Sequence, residues 1–353
     1  MKLEEIIKDI QALDEAAMRA AQARQDTLTK PRGSLGRLEE LSIQLAGMQA
    51  NPFPSVERKA VIVMAADHGV AREGVSAYPS NVTAQMVLNF LRGGAAINVL
   101  ARQAGGRVTV VDVGVAVELK PLPGLLRRKV MCGTRNLAQG PAMTREEAIQ
   151  ALQVGIDVLH EKAARGLDIV ATGDMGIGNT TPSSAIVAAM TGLPVAQVVG
   201  RGTGIDDQGR ERKIRVIERA LAVNQPDAKD PLDVLHKVGG LEIAGLAGVM
   251  VAAAYRRIPT VVDGFISTAA AMIAVGLAPG VRAYLISAHR SVETGHRAML
   301  NYLNLVPLLD LNLRLGEGTG AVLAFHLIEA STRILREMAT FDEAGVSDKE
   351  KIS

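Results

Sequence analysis

Two glycine-rich stretches carry the residues best suited to chemistry, and the first contains a single acid. The stretch "RLGEGTGAVLAF", residues 314–325, places Glu317 between two glycines at the start of an apolar run. A carboxylate at a helix N-terminus gains about 0.3–1 kcal/mol from the helix dipole, so one interpretation is that Glu317 caps the helix that follows it. The functional alternative is a general base, because a carboxylate held near a substrate can accept a proton.

The second stretch, "GDMGIGNTTPSSA", residues 173–185, favours anion binding. It leaves an apolar run, contains three glycines and continues into a helical pattern. Glycines allow successive N–H groups to converge, and the helix dipole adds to the attraction for a phosphate. The alternative is a tight strand-to-helix turn with Asn179 or Thr180 as the N-cap. A Walker phosphate loop is excluded, because the sequence contains no Gly-Lys pair.

Other reaction classes find little support in the sequence. The stretch "GEGTGA", residues 316–321, fits the relaxed dinucleotide fingerprint, but only one predicted helix and a tail follow it, without a strand to supply the ribose-binding acid. His68 and His289 follow apolar runs, yet neither an H-E-x-x-H motif nor a cysteine pair accompanies them, so we expect no metal and no cofactor. We expect Cys132, the single cysteine, to be buried and structural rather than catalytic.

The elements that must position these residues have the pattern of a parallel α/β sheet. In such sheets ligands bind beyond the carboxyl ends of the strands, because the loops converge there. We therefore expect one site at the ends of five apolar runs that each finish in Asp, Gly, His or Ser: "AVIVMAADHG", "RVTVVDVGV", "LDIVATGDMGIGNTT", "PTVVDGFIS" and "RAYLISAHRS". A sixth run, "VAQVVGRGTGIDD", resembles these strands, and its glycine turn (200–213) fits either an anion site with a basic side or an exposed loop.

Composition narrows the class of protein. The 353 residues carry a net charge of +2, with both signs mixed along the chain, and they include five Phe, four Tyr and no Trp, so we expect no nucleic-acid partner. The longest apolar stretches, near 243–255 and 267–281, are too short to span a bilayer, so we expect no membrane partner. A single cysteine and an acidic, helix-patterned start favour a cytoplasmic protein.

Helical patterns occupy both ends of the chain. Residues 3–49 have apolar positions at helical spacing, interrupted by the turn-forming stretch "TKPRGSLGRLEEL". A final helix, "HLIEASTRILREMATF", is predicted from about Phe325, followed by a charged tail over 346–353. The Ala/Gly-rich segments 243–254 and 267–275 are candidates for packing against a second copy of the chain.

Taken together and in order, eight motifs resemble the nicotinate-nucleotide:dimethylbenzimidazole phosphoribosyltransferases: "TKPRGSLGRLEEL", "ADHGV", "EGVSAYPSNVTAQMV", "GDMGIGNTT", "KVGGLEIAGLAGVM", "DGFISTAA", "SAHRS" and "LRLGEGTGA". The resemblance covers nearly the whole chain. It implies a Rossmann-like parallel sheet flanked by helices in residues 51–324, a small helical subdomain from 1–50 and 325–345, and a homodimer. It also implies two substrates, nicotinate mononucleotide and a lower-ligand base such as 5,6-dimethylbenzimidazole.

The same resemblance implies roles for individual residues. Glu317 matches the family's general base. Asp174 matches a second acid, commonly Glu in the family, and is one methylene shorter. The implied nucleotide-binding residues are Gly176, Gly178, Asn179, Thr180, Gly202, Lys213 and Ser291. The implied base-binding residues are Tyr78, Pro79, Met86 and Leu315.

Three other readings stay open at this stage. Some relatives carry Ser and Gln in place of Tyr78 and Met86, so this base pocket is expected to be more apolar, and adenine or a phenol are alternative acceptors. A weakly active homologue that serves as partner subunit is suggested by Asp174. A nucleotide oxidoreductase is suggested only by the misleading fingerprint at 316–321.

Overall fold

The computed structural model describes residues 3–347, so residues 348–353 of the predicted tail lie outside the described range. The strands are β1 Lys59–Ala66, β2 Gly106–Gly114, β3 Leu125–Arg127, β4 Ile169–Met175, β5 Thr260–Val262 and β6 Leu285–Ser287. The helices are α1 Leu3–Lys8, α2 Glu15–Thr27, α3 Arg37–Gln49, α4 Asn81–Arg92, α5 Ala96–Ala104, α6 Arg145–Ala163, α7 Thr180–Thr191, α8 Val195–Val198, α9 Asp207–Asn224, α10 Pro231–Val238, α11 Leu241–Tyr255, α12 Phe265–Leu277, α13 His296–Leu303, α14 Thr319–Glu337 and α15 Phe341–Ala344.

Across residues 3–347 the six strands form one parallel sheet in the order β3-β2-β1-β4-β5-β6. This is the doubly wound order in which helices cover both faces. Every residue of the central strand β1 is buried, as expected for a strand that is covered on both sides. The predicted α/β fold with a Rossmann-like parallel sheet is therefore confirmed.

Two short elements and the start of one long helix differ from the prediction. The sixth apolar run is not a strand: Val195–Val198 forms α8, with Val199 N donating to Val195 O at 3.1 Å. Pro194, whose φ of −54° suits the start of a helical turn, precedes it. The edge strand β3, with the sequence Leu-Leu-Arg, was not predicted, because it contains no β-branched residue and runs directly into charged residues. The last long helix, α14, begins at Thr319, ahead of the predicted start near Phe325.

The Ala/Gly-rich helix α11 packs inside the chain rather than against a second copy. All residues from Leu241 to Ala254 are buried. A Cβ at Gly155 of α6 would lie 1.8 Å from the Gly245 carbonyl oxygen, and one at Gly248 would lie 2.0 Å from the Leu152 carbonyl oxygen, so the two backbones are in direct contact. The suggestion that this face packs against another copy is wrong. Within residues 3–347, no helix combines the length and apolar character needed to cross a bilayer.

The helices from the two ends of the chain meet beside the sheet. Gln25 of α2 donates to Ser42 of α3 through Nε2 and Oγ at 2.9 Å. Arg24 Nη2 donates to the Met338 carbonyl, just beyond α14, at 3.1 Å. A small apolar cluster, separate from the main core, joins the three helices: Ala17, Ala21, Ala46 and Leu335.

Candidate active site

A cavity of about 490 Å³ opens beyond the carboxyl ends of β4, β5 and β6. It is lined by Tyr78, Asp174, Asn179, Thr180, Gly202, Thr203, Gly264, Phe265, Ile266, His289, Ser291, Glu293, Asn312, Leu313, Arg314, Leu315 and Gly316. Seven of the thirteen residues proposed from the sequence are among them: Tyr78, Asp174, Asn179, Thr180, Gly202, Ser291 and Leu315.

The ends of β1 and β2 lie outside the lining of this cavity. Asp67 Oδ2 accepts a hydrogen bond from Ala116 N at 2.8 Å, which holds the turn after β2. His68 Nε2 lies 2.8 Å from Glu242 Oε1, so the pair links β1 to the start of α11, and both side chains are fully buried. The expectation that all five strand ends form one site is therefore wrong for β1 and β2, whose polar residues fasten neighbouring elements.

Glu317 lies in a strained turn that a second acid holds in place. Its φ is +63°, between Gly316 at +84° and Gly318 at +94°, so three successive residues are left-handed. Asp263, which follows β5, accepts from Gly318 N at 3.1 Å and from Ala321 N at 3.0 Å. Asp263 thus caps α14, and the interpretation of Glu317 as the cap of its own helix is wrong.

The Glu317 carboxylate instead reaches the start of α5. The residue is 5% exposed, and its Oε2 accepts from Ile97 N at 3.2 Å. Burial raises the pKa of this carboxyl group, the Ile97 hydrogen bond opposes the rise, and the negative charge of Asp263 adds to it. A higher pKa makes the ionised form a stronger proton acceptor.

Asp174 occupies the end of β4, beside the turn that carries Glu317. Its Oδ2 accepts from Asn179 Nδ2 at 2.9 Å, and a Cβ at Gly316 would lie 3.1 Å from the same oxygen. Burial raises the pKa of Asp174 well above its usual value, and the nearby carboxylates of Asp263 and Glu242 raise it further. Burial therefore makes this carboxyl group harder to ionise than an ordinary Asp.

The glycine turn after β4 presents the start of α7 to the cavity. Asn179 holds the N-cap position, but its side chain binds Asp174, so the first N–H groups of α7 lack a side-chain cap. Gly178 has φ +92°, and a Cβ at Gly176 would lie 2.4 Å from the Ala66 carbonyl oxygen. Gly176 and Gly178 therefore lie behind the cavity wall and shape it, whereas Asn179 and Thr180 face the cavity.

Lys213 supports this wall from behind. The residue is fully buried, and its Nζ donates to Thr180 Oγ1 at 2.5 Å. Burial lowers the pKa of Lys213 to about 8, against the opposing effect of Glu293. Gly202 lies beside both groups, since a Cβ there would be 2.7 Å from Thr180 Oγ1 and 3.3 Å from Lys213 Nζ. The positive charge of Lys213 can therefore attract an anion that is bound in the cavity on the other side of Thr180.

The opposite rim of the cavity is apolar. Tyr78 and Leu315 are 55% and 58% exposed and line the opening. Pro79 is exposed next to Tyr78, and Met86 is half-buried on α4, but neither belongs to the lining.

Comparison with known proteins decides the family. The family model described as Phosphoribosyltransferase (DBI_PRT) matches residues 10–346. The chain belongs to this phosphoribosyltransferase family.

Similar proteins cover nearly the whole chain. The nicotinate-nucleotide–dimethylbenzimidazole phosphoribosyltransferase of Roseiflexus sp. (strain RS-1) is 64% identical over 98% of both chains. The protein of the same name from Geobacter sulfurreducens is 59% identical, again over 98% of both. The crystal structure of CobT from Thermus thermophilus has a TM-score of 0.91 and 54% identity, and the match covers 94% of this chain and 99% of that one.

Some residues of this phosphoribosyltransferase site were not singled out from the sequence. Glu293 is 7% exposed, and its Oε1 accepts from Gly202 N at 2.9 Å. The only available signal was its position two residues after Ser291, whose Oγ accepts from Glu293 N at 3.3 Å. Asp263 stood at the end of a predicted strand, but its bonds to residues more than fifty positions later could not be foreseen.

Two other expectations concern a metal site and the single cysteine. Over residues 3–347, the structure brings together no group of three or more His, Cys, Asp or Glu side chains that could hold a metal ion. Cys132 is exposed, so its predicted burial is wrong. It lies in the segment between β3 and α6, next to Gly133, whose φ is +75°.

Proposed function

We propose that this chain transfers the 5-phosphoribosyl group of nicotinate mononucleotide to 5,6-dimethylbenzimidazole or a related lower-ligand base, giving α-ribazole 5′-phosphate and nicotinate. The observation that carries the proposal is the buried Glu317 carboxylate, held beside Asp174 behind a cavity whose other side is the uncapped start of α7. The names of relatives at 57–64% identity support the same reaction.

The nucleotide side of the cavity takes the phosphate. The N–H of Thr180 and the dipole of α7 favour an anion there, whereas Asn179 N and Thr181 N already donate to the carbonyls of Gly176 and Gly178. The buried cation of Lys213 stands directly behind Thr180. The residues assigned to the nucleotide are Gly176, Gly178, Asn179, Thr180, Gly202, Lys213 and Ser291.

The chemical step is a displacement at C1′ of the ribose. The unprotonated ring nitrogen of the base forms a bond to C1′ with its lone pair, on the face opposite nicotinate. The C1′–N bond to the pyridinium breaks, and its electron pair stays on the pyridine nitrogen, so the cationic ring leaves as nicotinate. The other ring N–H of the base becomes acidic, and Glu317 accepts that proton. Positioned proton transfer of this kind contributes roughly 10²–10⁴ in rate.

Asp174 acts as a positioning residue in this proposal. Because burial raises its pKa, Asp174 is less suited than an ordinary Asp to stabilise positive charge on the ribose. Its contacts with Asn179 and with the turn at Gly316 connect the phosphate side of the cavity to the turn that carries Glu317. One methylene less than Glu is compatible with this role.

The lower-ligand base lies against the segment that contains Tyr78, Pro79 and Met86 and against Leu315; of these, Tyr78 and Leu315 line the cavity. The proposal also includes a homodimer, a location in the cytoplasm, and a small subdomain formed by 1–50 and 325–345. The exposed apolar side chains of Val306 and Leu311, at 64% and 53%, lie on the segment that leads to the cavity residues 312–316 and would be covered by a second copy. Sedimentation of the purified protein tests the dimer, which a monomer at micromolar concentration would contradict.

The reaction is tested by chromatographic detection of nicotinate released from nicotinate mononucleotide, with dimethylbenzimidazole, adenine and phenol offered separately. Base-dependent release identifies both the reaction and the acceptor, and a sample without base controls for hydrolysis. No release with any base would contradict the proposal. Release that occurs only after a homologous protein is added would favour the partner-subunit alternative.

A further inference from the structure

Thr203 joins two segments of the cavity wall that are distant in the chain. Its Oγ1 accepts from Ala77 N at 2.9 Å and shares a hydrogen bond with Ser76 Oγ at 3.2 Å. Ser76 Oγ in turn accepts from Tyr78 N at 3.2 Å. One hydroxyl group thus anchors the segment that carries Tyr78, on the proposed base side of the cavity.

The turn that carries Thr203 is itself fastened to the nucleotide side. Gly202 N donates to Glu293 Oε1 at 2.9 Å, and Arg314 Nη1 donates to the Gly202 carbonyl at 3.1 Å. The same glycine packs against the Thr180 hydroxyl, as its Cβ position shows. Gly202 and Gly204 have φ +51° and +104°, so the turn depends on backbone conformations that side-chain-bearing residues rarely adopt.

We propose that Thr203 is a positioning residue that couples the nucleotide and base subsites, so that filling one tightens the other. The inference rests on the proposed phosphoribosyl transfer. An anion bound beside Thr180 and Gly202 restricts the glycine turn, which fixes Thr203 Oγ1 and, through Ser76, the backbone of Tyr78. Coupling between two binding sites is reciprocal. A base held against Tyr78 therefore strengthens nucleotide binding by the same factor by which the nucleotide strengthens base binding.

The exposure of the Tyr78 segment is consistent with this role for its hydrogen bonds. Ser76 and Thr203 are partly buried, and residues 77–80 are exposed. The segment therefore has little packing of its own to fix its position, and its hydrogen bonds to the turn replace that packing. A side chain that served only the fold would affect stability without changing the response of one substrate to the other.

The test compares Thr203→Val, which keeps the shape and removes the hydroxyl, with Thr203→Ser, which keeps the hydroxyl. Thr294→Val, at an exposed position, is the matched control. Calorimetry measures the affinity for dimethylbenzimidazole with and without ribose 5-phosphate, which occupies the nucleotide side but has no leaving group. We expect ribose 5-phosphate to tighten base binding about 3- to 10-fold in the wild type, Thr203→Ser and Thr294→Val, and not in Thr203→Val.

Steady-state kinetics give a second readout. Thr203→Val is expected to raise the KM for dimethylbenzimidazole about 3- to 10-fold and to change kcat much less. Ser76→Ala added to Thr203→Val should cost little more, because both act through one connection. Wild-type nicotinate release combined with unchanged coupling in Thr203→Val would overturn this inference alone. A wild type without release under any base would overturn the proposed function and the inference with it.

Discussion

Gly173 lies against the backbone of Glu317 so closely that a Cβ at position 173 would be 2.3 Å from the Glu317 carbonyl oxygen. The last residues of β4 and the turn of the proposed base are therefore in backbone contact, with no side chain between them. The position of the Glu317 carboxylate follows directly from the end of the sheet.

Gly173→Ala should therefore displace the Glu317 turn. Small displacements of a catalytic group cost up to about 10²-fold in rate, so we expect turnover to fall at least ~10-fold and the melting temperature to drop. Gly140→Ala is the control, because its Cβ would meet nothing within 4 Å and its φ is not left-handed. Equal turnover in the two variants would show that the contact does not position Glu317.

Glu317→Gln should lose turnover roughly 10²–10⁴-fold while the protein stays folded. The amide oxygen can still accept from Ile97 N, so the local structure survives, but it cannot take the proton of the base. Glu337→Gln, at the exposed end of the same helix, should behave as the wild type. Near-normal turnover at saturating substrates would remove the general-base assignment.

Activity should rise with pH on the acid side through a pKa above that of an ordinary Glu. Glu317 accepts a proton only when ionised, and burial raises its pKa from 4.5. The acid limb of kcat against pH is therefore expected above pH 4.5 and should disappear in the residual activity of Glu317→Gln. An acid limb that is identical in the two proteins belongs to another group.

Asp174→Asn should stabilise the protein at neutral pH. The folded-state pKa of Asp174 is raised, so the stability contributed by this group is present at pH values below its unfolded pKa and is lost as the pH rises through the folded pKa. Asn has no such loss and can still accept from Asn179. The melting temperature of Asp174→Asn should be close to that of the wild type near pH 4. At neutral pH it should be higher than that of the wild type by ~1–3 °C.

The kinetics of the same variant separate two roles for Asp174. A positioning role predicts a loss of turnover below ~10-fold, since the hydrogen bond to Asn179 remains. A loss approaching that of Glu317→Gln would mean that the negative charge of Asp174 is required, contrary to the proposal.

Nucleotide binding should weaken above pH 8. The pKa of Lys213 is lowered to about 8 by burial, so the amine loses its charge as the pH rises through that value and attracts the phosphate less. We expect the KM for nicotinate mononucleotide to rise on this limb and to be high and pH-independent in Lys213→Met. Lys229→Met, at an exposed position, serves as the control. A flat wild-type profile to pH 9 would contradict the assignment.

The sequence was most informative where local composition determines structure. The β-branched runs of β1, β2 and β4 and the glycine turn at 173–180 follow from periodicity and backbone freedom, which are properties of neighbouring residues. The capping of α14 by Asp263, the bond of Glu317 to α5 and the role of Glu293 depend on residues brought together only by the folded sheet. Such long-range pairings leave no signal in the spacing of one chain.

The meeting of α2 and α3 with α14 has a consequence during synthesis. The end of α3 and the start of α14 are separated by ~270 residues. At a synthesis rate of about 5–20 residues per second, the ribosome therefore reaches α14 roughly 15 s to a minute after it has completed α3. For that time the apolar side of the early hairpin, which α14 later covers, has no partner in its own chain. Truncations that remove α14 leave that side exposed permanently, so they should reduce solubility before they affect the sheet.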